Sequence, residues 1–156
     1  MAEHIIAGNV AGVGFCALRL ENGEIESVRI QGQERRDESY LAPGLVDLQL
    51  NGFAGVDFSG ENLSVDQLTG ILPRLRETGL TSFCPTLITN TRERLARNFQ
   101  VLEEARRADS GFAASAPCYH LEGPYLSPGP SHGVHNPEWM HPPDWDEFCA
   151  FQEAAG

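Results

Sequence analysis

Residues 13–32 alternate apolar and polar positions. Phe15, Ala17, Leu18 and Leu20 precede Glu21-Asn22-Gly23-Glu24, and Ile25, Val28 and Ile30 follow. Asn-Gly between two such runs predicts a β-hairpin with a type I′ turn. Gln31 to Ser39 is polar and charged and reads as a connector. Residues 1–41 therefore read as a small antiparallel β segment, sandwich-like in pattern. A unit of that size is not stable alone and must pack on something else.

From Tyr40 the pattern becomes strand, helix, strand, helix, strand. Leu45 to Leu50 reads as a strand, opened by Pro43-Gly44 and closed by Asn51-Gly52. Ser64-Val65-Asp66-Gln67 is a capping box that leads a helix with the stripe Leu68, Ile71, Leu72 and Leu75. Gly79 supplies a stop, and Pro73 inside the stripe predicts a kink. Thr81 to Thr89 reads as the second strand, with its ladder ending near Pro85. Thr91 caps a second helix with Leu95, Phe99 and Leu102 on one face and arginines on a solvated one. Ala116 to Leu126 reads as the third strand. A Pro/Gly/His-rich loop follows, and Pro143 is expected to start a last helix.

Three βα units in series predict a parallel sheet with right-handed crossovers. A doubly wound sheet and a (β/α)8 TIM barrel are the two candidates. No Gly-rich phosphate fingerprint follows the first strand, which disfavours dinucleotide binding. Polar residues gather at the C-terminal ends of all three strands: Gln49 and Asn51, Thr86 and Thr89, His120 and Glu122. A barrel builds its active site there, but it needs about 250 residues and eight strands. The expectation is thus an α/β chain in which residues 42–156 form the first three βα units of a barrel belonging to something longer.

Composition narrows the function. The chain has 156 residues, 22 acidic against 11 basic, and a net charge of −11. Such a surface repels phosphate backbones, so no nucleic-acid partner is expected. All basic residues are arginine. That excludes a Schiff-base lysine, a Walker lysine and a carbamylated lysine bridging two metals within these residues. Cys16, Cys84, Cys118 and Cys149 form no CxxC pair, and Cys84 and Cys118 read as buried thiols. No membrane span or basic leader is visible, so a cytoplasmic, membrane-free protein is expected.

The chemistry concentrates in His120-Leu121-Glu122-Gly123-Pro124-Tyr125-Leu126 and Gly133-Val134-His135-Asn136-Pro137. Alternation puts His120 and Glu122 on one face of a strand. On residues alone, Glu122 fits either a metal ligand or a strand-end hydrogen-bonding group.

These two segments, together with Ala42-Pro43-Gly44-Leu45-Val46-Asp47-Leu48-Gln49-Leu50-Asn51-Gly52 and Pro85-Thr86-Leu87-Ile88-Thr89, resemble the N-acetylglucosamine-6-phosphate deacetylase family of the amidohydrolase superfamily. Most of that superfamily carries two histidines where Gln49 and Asn51 stand. The resemblance implies one divalent metal, usually zinc, with Glu122 as a ligand. It implies that His135 polarises the acetamide carbonyl as a catalytic residue and that the Val134 backbone touches the sugar. Gln49 and Asn51 would occupy positions that hold a second metal in relatives, and His120 would be a supporting residue. Asp47 reads as structural, and His132 and His141 as exposed loop residues.

The implied reaction hydrolyses N-acetylglucosamine 6-phosphate to glucosamine 6-phosphate and acetate. A homo-oligomer is implied for the full-length protein. The family's two histidine ligands, aspartate base and phosphate-binding residues lie beyond residue 156, and no lysine stands in Pro128-Gly129-Pro130-Ser131-His132. One carboxylate cannot hold a catalytic zinc, which takes about three protein ligands. The 156 residues alone are therefore expected to be inactive. The alternatives are another C–N hydrolase of the superfamily and a truncated, non-catalytic chain that needs a partner.

Overall fold

The computed structural model describes residues 3–127, 129 and 132–156. It divides into two compact units, Met1–Pro43 and Gly44–Gly156. In the first, β1 (Glu3–Val10), β2 (Gly14–Glu21) and β3 (Glu24–Gly32) form an antiparallel sheet in that order. Asn22 and Gly23 have φ of 53° and 84°, the two positive values that a type I′ turn requires. The alternation seen in the sequence does not reach residues 3–10, where Ala7 and Gly8 dilute it, yet β1 pairs with β2 along its whole length.

Buried Asn9 organises the connector. Its Nδ2 donates to the Arg35 carbonyl at 2.7 Å, and its Oδ1 accepts from the Arg35 N–H at 2.8 Å.

In the second unit, β4 (Leu45–Leu50), β7 (Leu80–Ile88) and β8 (His120–Glu122) lie parallel, in the order β4-β7-β8. A two-residue hairpin, β5 (Gly52–Phe53) and β6 (Val56–Asp57), follows β4. Between β4 and β7 come α1 (Val65–Gly70) and α2 (Leu72–Glu77). Between β7 and β8 come α3 (Arg92–Ala108) and α4 (Ser110–Ser115), and α5 (Trp145–Ala155) follows β8. One core, centred on Phe58, Leu68, Phe83, Leu87, Leu102 and Phe112, joins helices to sheet.

Several expectations change in detail. The kink at Pro73 is a break: α1 ends at Gly70, and α2 restarts with Pro73 in its first turn, where a missing N–H costs nothing. The Ser64/Gln67 capping box is present. Pro85 ends only one ladder. It is the last β7 residue paired with β4, while β7 continues and pairs with β8 from Thr86. The third strand has three residues rather than eleven, because the apolar run before it closes α4 and packs Ala116 into the core. Asp144, not Pro143, caps α5, accepting from the Asp146 and Glu147 N–H groups. Cys84 is buried as expected, but Cys118 is exposed.

Candidate active site

Gln49 is the next-to-last residue of β4 with Asn51 just beyond the strand, Thr89 follows β7, and Glu122 ends β8. His135 arrives from a turn after β8, anchored by its N–H to the His132 carbonyl at 3.3 Å. The Glu122 carboxylate gathers them. Its Oε2 accepts from Gln49 Nε2 at 2.8 Å and from Asn51 Nδ2 at 3.3 Å. Its Oε1 faces His135 Nε2 at 3.5 Å. His135 is nearly buried, with its Nδ1 2.9 Å from Thr89 Oγ1.

The backbone locks this arrangement. The Thr89 N–H donates to the Glu122 carbonyl at 2.9 Å, continuing the β7–β8 ladder one residue past Ile88. Gly123 follows at φ 91°, where an added Cβ would lie 2.0 Å from Thr89 Oγ1. Only glycine allows that approach. Asp47 is a local support, accepting from the Gln49 N–H at 2.9 Å.

Beside the carboxylate, Glu122, Leu126, Ser127, His132, Val134 and His135 line an open cavity of about 510 Å³. That volume falls in the range of small-molecule sites, about 300–1,000 Å³. Val134 is 84% exposed at its edge. Pro128, Pro130 and Ser131, part of the loop without lysine, lie outside the described residues.

His120 does not join the group. It lines a separate cavity with Leu48, Cys84 and Cys118, and its buried Nδ1 has no hydrogen-bond partner among the described residues. His141 is not a plain loop residue either. It stands 3.2 Å from the buried Glu147 carboxylate, which also accepts from the Tyr125 hydroxyl at 3.1 Å. Burial first, then Glu147, pushes the Tyr125 phenol up to about 12. This cluster ties the loop after β8 to α5. Thr89 was visible in the sequence only as one polar strand-end residue among several, with nothing to pair it with His135.

The donor set can be tested against a divalent metal. Among the described residues, no three His, Cys, Asp or Glu side chains are grouped to hold one. Glu122 fits as a single oxygen ligand: one oxygen is occupied by neutral amides and the other is directed towards His135. The described residues thus offer one carboxylate ligand and do not by themselves make a metal site.

A carboxylate, two amides and an imidazole thus meet at the C-terminal ends of parallel strands, where folds built of βα units place their functional residues. The chain is a homologue of N-acetylglucosamine-6-phosphate deacetylases and corresponds to their N-terminal part. It is 34% identical to the Haemophilus influenzae deacetylase over 136 residues, covering 87% of this chain and 32% of that one. To the rat enzyme it is 40% identical over 89 residues, covering 56% and 21%. The crystal structure of the Pasteurella multocida deacetylase superposes with a TM-score of 0.76 at 25% identity, covering 97% of this chain and 42% of that one. The chain spans about a third of the length of the Haemophilus relative, and less of the zebrafish and rat ones. No protein-family model matches it. Among the described residues, no helix is long and apolar enough to cross a membrane.

Proposed function

We propose that the protein contributes the first part of an N-acetylglucosamine-6-phosphate deacetylase, a cytoplasmic enzyme of amino sugar breakdown. The observation that carries this reading is the Glu122 carboxylate held by Gln49 and Asn51 beside His135, in a chain homologous to such enzymes. The three parallel strands would be the first three of an eight-stranded barrel, with the N-terminal sheet as its small β domain. The −11 charge disfavours nucleic acid as a partner, and the phosphorylated amino sugar, itself an anion, would need arginines gathered locally against that field. A homo-oligomer is part of the same reading.

Glu122 would hold one divalent metal, zinc in the resembled family, together with ligands from outside these residues. Such a metal, when bound, supplies a water whose pKa falls towards 7. Gln49 and Asn51 satisfy one Glu122 oxygen without adding charge, which leaves no second anionic or imidazole ligand at their positions. Thr89 Oγ1 lies 2.9 Å from His135 Nδ1 and 3.4 Å from the Glu122 carbonyl, to which its hydroxyl also donates. With the hydroxyl turned to Nδ1, the ring hydrogen would sit on Nε2, the atom that would donate to the acetamide oxygen as negative charge develops there. A donor in that role is worth about 10²–10³ in rate. The Val134 backbone would line the sugar.

The test is a chimera in which these 156 residues replace the matching part of the Haemophilus influenzae enzyme. Acetate release from N-acetylglucosamine 6-phosphate, and none from cyclic amides, supports the reading. A folded chimera that hydrolyses only cyclic amides, or neither, counts against it. The isolated chain is expected to release no acetate.

A second reading has its own support. Leu45, Val46 and Leu48 are 61%, 62% and 72% exposed on β4, an edge of its sheet. An uncovered apolar edge favours association with a partner. Size-exclusion chromatography giving a cooperatively folding monomer would contradict it.

A further inference from the structure

Cys84 and Cys118 are free thiols whose sulfurs lie 3.1 Å apart. Their separation of 34 residues equals that of the paired residues Thr86 and His120, Leu87 and Leu121, and Ile88 and Glu122. They therefore extend the β7–β8 register to a residue pair just before β8. Neighbouring strands run about 4.8 Å apart. A disulfide accepts Cα separations of about 4.4–6.8 Å, a range that includes the spacing of neighbouring strands. The two thiols differ in setting: Cys84 is buried at 8% exposure, and Cys118 is open to solvent. The sulfurs' mutual contact is separate from the hydrogen bonds that gather Gln49, Asn51 and Glu122.

We propose that Cys84 and Cys118 form a redox pair that closes to a disulfide on exposure to a hydroperoxide and reopens with a thiol reductant. The accessible Cys118 sulfur, as thiolate, attacks the peroxide. The O–O bond breaks, the distal oxygen becomes a sulfenic acid on Cys118, and the alkoxide or hydroxide leaves and takes up the thiol's proton. The Cys84 sulfur then attacks that sulfenic sulfur. The S–S bond forms, the S–O bond breaks, and the hydroxyl departs with the Cys84 proton as water. The two sulfurs together lose two electrons to the peroxide. Burial, followed by the neighbouring Cys118 thiol, pushes the Cys84 thiol above its ordinary range, which suits it to the second step rather than the first. The bridge would pin the base of β8 four residues before Glu122.

The test treats the folded 156-residue chain with stoichiometric hydrogen peroxide, then maps peptides by mass spectrometry with and without dithiothreitol. The expected result is one linked peptide pair containing Cys84 and Cys118, two hydrogens lighter, absent after reduction and absent in urea-unfolded protein. Cys84→Ser should leave Cys118 as a sulfenic acid trapped by dimedone, and Cys118→Ser should react about tenfold more slowly or less. Cys118 oxidised without a link in the wild-type chain, or links to Cys16 or Cys149 at equal yield, would overturn the proposal. The wild-type map decides the question even where a serine variant fails to fold.

Discussion

Gln49 Nε2 donates to Glu122 Oε2 at 2.8 Å across 73 residues of sequence. An uncharged amide thus orients a carboxylate without competing for its charge. Glu122 keeps a side-chain exposure of 31%, so this bond serves direction more than stability. Gln49→Leu is expected to change the unfolding free energy of the chain by less than about 0.5 kcal/mol. In the chimera it should lower metal affinity or acetate release by about 10–100-fold, as loss of an outer partner of a ligand does. Urea titration and zinc titration, run side by side, check both halves.

Thr89 serves stability as well as position. Replacing it with valine keeps the volume and leaves the nearly buried His135 Nδ1 without its partner. The expected cost is about 1–3 kcal/mol. Thr89→Ser keeps the hydroxyl and should recover most of it. Urea unfolding midpoints of the two variants are the comparison to make.

Gly123→Ala forces a Cβ against Thr89 at a φ of 91°. Backbone strain of that kind costs about 1–3 kcal/mol. Near-ultraviolet circular dichroism should show the native fold retained at a lower thermal midpoint.

Asn98 is buried in α3, and its Nδ2 donates to the Phe58 carbonyl at 3.0 Å and the Gly60 carbonyl at 3.1 Å. It holds the loop that follows β6. Asn98→Ala strands two carbonyls and should cost about 2–4 kcal/mol, measured by denaturant unfolding.

The Tyr119 hydroxyl donates to Glu103 at 3.2 Å, and its phenol is pushed up to about 12, chiefly by burial. The unfolded chain loses that proton near pH 10 and the folded chain near 12. Between those values the folded state holds more protons, so stability falls as pH rises. The thermal midpoint of the wild-type chain should drop more steeply from pH 10 to 12 than that of Tyr119→Phe. Equal slopes would remove Tyr119 from the explanation.

Local signals in the sequence located the elements whose ends are chemically marked. Pro43-Gly44 and Asn51-Gly52 bracket β4, Asn22-Gly23 closes the β2–β3 hairpin, and the Ser64/Gln67 box starts α1. Signals failed where tertiary packing decides. Ala116 is apolar because the end of α4 buries it, not because it extends β8. The motif resemblance pointed to Glu122, His135, Gln49 and Asn51, which do meet, and to His120, which does not. Asn98 carries no mark in the sequence, and Thr89 none that pairs it with His135, since a buried amide or hydroxyl is defined by the partner that folding brings to it. The Cys84–Cys118 pair was hidden for the same reason: only the parallel register sets residues 34 apart side by side.

The most direct measurement is zinc-dependent acetate release from N-acetylglucosamine 6-phosphate by the chimera, compared with the same chimera carrying Glu122→Gln. If Glu122 is the metal ligand contributed by these residues, the variant should bind zinc weakly and lose acetate release by at least about 100-fold. A variant that keeps its zinc and its rate would contradict that role.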